Sequence, residues 1–194
     1  GKPRLGDQTM SKSPRYILLP YRVLARRWRL PAFLMIPAGL TLAWALWQAP
    51  DTGPRAGIAG LAIALIGLLL FIYTLVAARA CIRLDQNRFV VQTPLYPVAF
   101  SYQRIERIGS AEFRRLFPPE DEKAVTWRLY HDLWGMTVPT ISLTGFPLPR
   151  WWLRLWFHPY LFHPTETGIV VPIKDWLSFN RQIETLRSQW RERR

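Results

Sequence analysis

The sequence predicts a membrane α + β fold, in which a two-helix transmembrane hairpin precedes a small cytoplasmic domain of β-strands that ends in an amphipathic helix. Two long uncharged apolar stretches, residues 30–50 and 56–78, predict the hairpin. Alternating apolar and polar residues beyond position 79 predict the strands, and a regular apolar stripe near the end predicts the final helix. The predicted parts are a basic cytoplasmic N-terminal arm (1–29), the hairpin (30–78) and the cytoplasmic domain (79–194).

Both apolar stretches are long enough to cross a bilayer, because about 20 apolar residues span its hydrocarbon core. Only residues 51–55 separate the two stretches, so the helices are predicted to run antiparallel. Neither stretch contains Asp, Glu, Lys, Arg or His. Since ionisable side chains within a membrane mark proton and ion pathways, the hairpin is predicted to be an anchor and a packing surface. It also lacks the histidine that commonly ligates a haem or chlorophyll.

The distribution of positive charge predicts the orientation of the hairpin. Eight Lys and Arg residues but a single Asp precede the first stretch, whereas the link between the stretches holds one Arg and one Asp. Because segments rich in Lys and Arg stay on the cytoplasmic side, both termini are predicted to face the cytoplasm, with the link outside. Four arginines near the first stretch are predicted to contact anionic lipid: Arg22, Arg26, Arg27 and Arg29.

Small residues recur along the second stretch at spacings of four, four and three, which places them on one face of a helix. They are Ala56, Gly60, Ala64 and Gly67. Small side chains allow two membrane helices to approach closely. The stripe is therefore predicted either to pack within the hairpin or to dock against a helix of another membrane protein.

The cytoplasmic part carries several strand signals. Gln86 and Asn87 separate two alternating segments and predict a hairpin turn. Further strands are predicted within residues 97–108, 137–145 and 168–173. Asp175 is predicted to cap a final helix whose apolar stripe packs on the sheet. That stripe consists of Trp176, Phe179, Ile183, Leu186 and Trp190.

Two apolar helices followed by CIRLDQNRFVVQTPLYPVAFSYQRIERI, with GIVVPIKDWLSFNRQIETL near the end, resemble the bacterial pleckstrin-homology-like (PH-like) two-helix membrane proteins. The resemblance covers the two ends of the cytoplasmic domain. It implies a half-open β-barrel capped by the C-terminal helix, and it implies no catalytic residues. It also implies a bacterial source, so the two spans are expected to lie in the inner (cytoplasmic) membrane of a bacterium. Residues 114–167 depart from the family pattern and are predicted to be a tryptophan-rich insertion.

That region contains LPRWWLRLWFHPYLFHP, which is too short and too charged to be a third span. On a helix, Arg150, Arg154 and His158 would share one narrow stripe and the apolar residues would cover the remaining arc. This pattern is typical of a short helix lying in the membrane interface. The predicted contacts with the membrane interface or with a partner are Arg150, Trp151, Trp152, Arg154, Leu155, Trp156 and Phe157. A core segment of the domain is the alternative.

The sequence contains none of the common catalytic motifs, and its single cysteine and three histidines form no metal-binding pattern. No cofactor and no enzymatic activity are therefore predicted. The net charge of +13 suits an anionic partner. Anionic lipid explains basic residues near a membrane better than nucleic acid does, so no nucleic-acid partner is predicted.

Three functions remain open from the sequence. The first is a non-catalytic accessory or scaffolding subunit of a larger membrane complex, which can be respiratory, photosynthetic or secretory. The second is a free-standing lipid-sensing or stress-related PH-like membrane protein. The third, a membrane-bound enzyme that uses His131 or His158, has the least support because no nucleophile accompanies either histidine. The expected partners are anionic lipid headgroups and other membrane-protein subunits.

Overall fold

The structure is a computed structural model that describes residues 14–49 and 54–193, with the side chains of residues 54–56 excepted. The first part of the predicted basic arm, most of the predicted link and the side chain of Ala56 lie outside the described residues. Two long helices come first, two antiparallel sheets follow, and a helix ends the described chain. This order confirms the coarse fold expected from the sequence.

The two long helices are α1 (Leu19–Gln48) and α2 (Pro54–Ala77). Both are long and apolar enough to cross a membrane. Helix α1 begins eleven residues before the first apolar stretch, so part of the predicted basic arm is helical. At 1.5 Å per residue its 30 residues extend for about 45 Å, which exceeds the ~30 Å of a hydrocarbon core.

Small residues bring α1 and α2 into close contact. A Cβ atom added at Gly39 of α1 would lie 2.8 Å from the carbonyl oxygen of Gly60 on α2. A Cβ atom at Gly67 would lie 2.7 Å from the Cβ atom of Met35. Ala64 is buried beside Gly39. Of the predicted stripe of small residues, Gly60, Ala64 and Gly67 therefore pack against α1 inside the hairpin, so α1 occupies that face of α2.

The first sheet has four antiparallel strands in chain order. They are β1 (Arg15–Ile17), β2 (Cys81–Leu84), β3 (Arg88–Gln92) and β4 (Pro97–Ser101). Strand β1 precedes the long helices and pairs with β2, which follows them, so that Arg15 lies opposite Arg83 and Ile17 opposite Cys81. The turn predicted at Gln86 and Asn87 connects β2 and β3, which confirms that hairpin.

The second sheet has three antiparallel strands, with β6 between the other two. They are β5 (Ile105–Glu112), β6 (Thr137–Leu143) and β7 (Gly168–Val170). Helices α3 (Phe113–Leu116) and α4 (Ala124–Tyr130) connect β5 to β6, and α5 (Arg150–Trp156) lies between β6 and β7. The region 114–167, which the sequence analysis predicted to be an insertion relative to the family pattern, contains β6, the central strand of this sheet.

Helix α6 (Trp176–Glu192) follows β7 and is capped as predicted, since the Asp175 carboxylate accepts the N–H of Ser178 at 3.2 Å. Its residues Phe179 and Ile183 are fully buried in the same core as Phe89 of the first sheet and Ile141 of the second. The two sheets and helices α3–α6 form what we call the strand domain.

The hairpin is continuous with the strand domain. Leu18 alone separates β1 from α1, and its N–H donates to the carbonyl of Ala80, just before β2. Leu19, Tyr21 and Ala25 at the start of α1 are buried with residues of the strand domain. The predicted boundary at residue 79 therefore changes, because residues 15–25 supply a strand and core side chains to the domain.

Candidate functional site

Helix α5 carries the residues that the sequence singled out as an interface. Pro149 fixes an extended backbone before the helix, and its carbonyl accepts the first helical N–H, from Leu153 at 3.1 Å. Leu153 is fully buried and anchors the helix to the core. The helix ends at Trp156, because the following residues take extended backbone angles ahead of Pro159. Helix α5 is thus a short ridge with one face fixed to the core.

Phe157 does not lie on the exposed face of α5, in contrast to the helical arrangement that the sequence predicted. Its backbone is extended, its side chain is 3% exposed, and its ring lies 6.3 Å from that of Phe100 in the core. The sequence-based assignment assumed that the helix continued through residue 158. Because the helix ends two residues earlier, at Trp156, the Phe157 side chain turns inward and packs in the core instead of lying on the exposed face of α5.

The remaining apolar residues of α5 form a contiguous surface. Trp151 and Leu155 are 66% and 63% exposed, whereas Trp152 and Trp156 are half-buried. The ring of Trp152 lies 5.6 Å from that of Trp151 and 5.7 Å from that of Trp156. Trp156 also packs against the core, so it joins the exposed surface to the interior.

The loop between β3 and β4 extends this surface. The ring of Tyr96 lies 6.1 Å from that of Trp156, and the neighbouring Leu95 is 65% exposed. Thr93 holds the loop in place, because its hydroxyl donates to the Tyr96 carbonyl at 2.6 Å and accepts the Tyr96 N–H at 3.1 Å. We call the combined surface the aromatic ledge; its members are Leu95, Tyr96, Trp151, Trp152, Leu155 and Trp156. Sequence reasoning missed the first two, although two large apolar residues in a hairpin loop were a visible signal.

Tyr21 ties the ledge to α1. Its hydroxyl donates to the Trp156 carbonyl at 2.9 Å and accepts the N–H of His158 at 2.8 Å. The Tyr21 side chain is only 2% exposed. One buried side chain of α1 thus holds the backbone at the end of α5 by two hydrogen bonds, which fixes the ledge beside the base of the hairpin.

His158 lies behind the ledge and points inward. Its Nδ1 accepts the N–H of Tyr160 at 3.3 Å, so the neutral ring carries its proton on Nε2, which lies 2.8 Å from the Tyr130 hydroxyl. Burial lowers the pKa of His158 to about 4 and raises that of Tyr130 to about 12. His158 therefore does not share the exposed arginine stripe predicted for it; it is a neutral group that links α4 to the segment after α5.

The four arginines predicted to contact lipid, Arg22, Arg26, Arg27 and Arg29, are all exposed on the first turns of α1. We call them the basic collar. Within the described part of the chain, none of the four forms an ion pair. The collar begins directly after Tyr21, so the ledge and the collar lie at the same end of the hairpin. Trp28, which is 49% exposed, lies among the arginines.

His131, the other histidine considered for chemistry, is exposed and lies 3.4 Å from the Asp132 carboxylate. Over residues 14–49 and 54–193, no group of three His, Cys, Asp or Glu side chains has the arrangement of a metal site. A comparison of the chain with protein-family models, curated proteins and solved structures finds no match in any of the three. The geometry of the ledge, the collar and the hairpin is therefore the basis for assigning a function.

Proposed function

We propose that the chain is a non-catalytic integral membrane protein that acts as an accessory or scaffolding subunit of a larger membrane complex. In this proposal α1 and α2 span the inner membrane of a bacterium, and the strand domain lies on the cytoplasmic side. The protein docks to other membrane-protein subunits through the hairpin and the strand domain.

One observation carries the proposal: the hairpin is inserted between two strands that pair with each other. The N–H of Leu18, just before α1, donates to the carbonyl of Ala80, just after α2, at 3.0 Å. The N–H of Leu19 donates to the Pro172 carbonyl at 2.9 Å. Ala25 of α1 and Ala77 of α2 are both buried in the core of the strand domain. Since two chain connections and a shared core join the parts, the domain keeps a fixed height and angle over the membrane, which suits a scaffold.

The exposed surface of the hairpin supports its place in a membrane. In the most apolar 18-residue stretches of α1 and α2, only 17% and 22% of the residues are buried. Four leucines of the hairpin are each more than half exposed: Leu30, Leu34, Leu65 and Leu69. A surface of this size and character is costly in water and favourable in lipid. The basic collar supports the cytoplasmic orientation, because arginines near a span favour that side. The four-stranded sheet, the three-stranded sheet and the closing helix support a PH-like fold.

Purification of the tagged full chain from membranes of its source organism tests the proposal. Alkaline carbonate should leave the chain in the membrane fraction, and mild detergent should release it together with other subunits in a fixed ratio. A chain that elutes alone as a monomer from both mild detergent and native nanodiscs would contradict the scaffold role. Release by carbonate would contradict the membrane location itself.

A second candidate, a lipid-responsive PH-like membrane protein, is favoured by the position of the aromatic ledge beside the basic collar. Aromatic rings are enriched at the depth of lipid headgroups. The ledge variant Trp151→Asp/Leu155→Asp separates the two functions, and Leu177→Asp on α6 is a matched control because Leu177 is 59% exposed. Loss of co-purifying subunits in the ledge variant alone supports the scaffold. Retention of the subunits, with faster amide exchange of α5 in nanodiscs, supports the lipid-responsive role.

A further inference from the structure

An open groove of about 450 Å³ runs along the side of α5. Two arginines one helical turn apart, Arg150 and Arg154, form one wall, and His163 lies on the opposite segment. Phe117, Phe157 and Phe162 contribute apolar walls. We call this the arginine groove. It lies on a different side of α5 from Tyr96 and Trp156, but it shares the helix that carries Trp151 and Leu155.

The cations of the groove lack acidic partners in the described part of the chain. Neither Arg150 nor Arg154 forms an ion pair there, and no Asp or Glu lines the groove. The nearest acidic residue along the chain, Glu166, has its carboxylate bound by Arg107 at 3.0 Å and by Ser142 at 2.9 Å. Two guanidinium groups thus remain available to an external anion.

The side chains of the groove are held by their surroundings. The guanidinium carbon of Arg150 lies 5.8 Å from the centre of the Phe162 ring, within the range of a cation–π contact. His163 accepts the N–H of Glu166 on Nδ1 at 3.1 Å, so its neutral ring keeps a proton on Nε2. The groove therefore offers planar guanidinium donors and an imidazole N–H over an aromatic floor that is 3–7% exposed at Phe157 and Phe162.

We infer that the arginine groove binds the phosphate of an anionic phospholipid. Guanidinium pairs match the geometry of phosphate oxygens, and the apolar floor accommodates the glycerol and first methylene groups of a lipid. The location selects lipid as the source of the phosphate, because Trp151 and Leu155 alternate with the two arginines along one helix. When the aromatic ledge lies at headgroup depth, the arginines reach the phosphate layer.

This inference rests on the proposed membrane location and goes beyond it by naming a ligand and its site. It also assigns separate roles to the two faces of α5. The ledge supplies apolar contact that any bilayer satisfies, whereas the groove discriminates between lipids by charge.

Titration of the full chain in neutral detergent with short-chain phospholipids tests the inference, with thermal stabilisation as the readout. Dihexanoyl phosphatidylglycerol should stabilise the protein, and dihexanoyl phosphatidylcholine should not. Arg150→Gln/Arg154→Gln should weaken binding of the anionic lipid at least about tenfold, since each lost pairing involves a charged hydrogen bond. The control Arg181→Gln/Arg191→Gln on α6 removes the same two charges outside the groove and should leave the affinity unchanged.

Three results would overturn the inference. Equal weakening by both double variants would assign the effect to net charge, and no weakening by either would exclude the groove. Inorganic phosphate that stabilises the protein at the same concentration as the anionic lipid would exclude lipid as the preferred ligand. Carbonate extraction of the wild-type chain separates these failures from failure of the membrane location, because a chain that stays in the membrane keeps that proposal intact.

Discussion

The Tyr21 hydroxyl forms the two hydrogen bonds that connect helix α1 of the hairpin to the aromatic ledge, which we call the joint. The substitution Tyr21→Phe removes this hydroxyl and keeps the ring. The change leaves the Trp156 carbonyl and the His158 N–H without their partner. A buried backbone group that loses its partner costs about 1–3 kcal/mol. Two such groups imply a loss of about 2–6 kcal/mol of unfolding free energy, or about 4–24 °C in melting temperature for a chain of this length.

The assay is thermal unfolding of the full chain in neutral detergent, followed by tryptophan fluorescence, with amide exchange at His158 as a local readout. Tyr16→Phe is the matched control, because the partners of the Tyr16 hydroxyl among the described residues are the side chains of Ser178 and Gln182, which can turn to water. That control should lose no more than about 1.5 kcal/mol. If Tyr21→Phe melts no lower than Tyr16→Phe and His158 exchanges at the wild-type rate, the account of the joint is refuted.

Three further predictions concern the hairpin, the buried histidine and the final helix. Gly60→Ala should destabilise the protein by about 1–3 kcal/mol, because the added methyl group meets the backbone of α1, whereas Gly135→Ala meets no atom within 4 Å and should be neutral in the same melting assay. The pKa of His158 is about 4 in the folded chain against 6.5 in the unfolded chain. Neutral His158 therefore contributes up to about 3 kcal/mol to the free energy of unfolding; this contribution is complete above pH 6.5 and is lost as the pH falls towards 4. His158→Gln should flatten the decline of melting temperature over that range, and an unchanged slope would disprove the assignment. Asp175→Ala should lower the free energy of unfolding, measured by chemical denaturation, by about 1 kcal/mol, whereas Asp175→Asn should keep most of the wild-type stability. Equal losses in the two variants would argue against a capping hydrogen bond from the Ser178 N–H to the Asp175 side chain.

The features that the sequence predicted correctly depend on local pattern. The β2–β3 hairpin follows from the turn residues Gln86 and Asn87 between alternating segments, and α6 follows from Asp175 and an apolar stripe that includes Phe179 and Ile183. The long helices follow from composition alone. In each case, neighbouring residues contain enough information to specify the element.

The features that the sequence analysis missed depend on contacts between distant residues. Strand β1 is three residues long and shows no alternation by itself, and it becomes a strand only because Arg15 and Ile17 pair with residues more than 60 positions later. The start of α1 at Leu19 was hidden because charged residues follow it. The predicted alternation over 97–108 also breaks at a 3-10 turn that begins at Tyr102, whose hydroxyl donates to the Asp85 carbonyl at 2.6 Å.

The candidate site also contains features that neighbouring residues specify and features that depend on contacts between distant residues. Helical periodicity located Trp151, Trp152 and Leu155 correctly on one ridge. It misplaced Phe157, because a proline two residues later ended the helix earlier than the pattern allowed. It could not reveal that Tyr96 joins the ridge, since that contact exists only after β3, β4 and α5 have packed.

The insertion of the hairpin between β1 and β2 has a consequence for biogenesis. Strand β1 is translated before either long helix, but its pairing partner Cys81–Leu84 emerges only after both. If the hairpin spans a membrane as proposed, the first sheet can be completed only when the segment before α1 and the segment after α2 lie on the same side of that membrane. Under that proposal, a chain with one of these segments on the far side of the bilayer would leave β2 without its edge partner β1 and would expose Ile82. An unpaired strand edge of this kind would mark a wrongly inserted molecule for quality-control proteases.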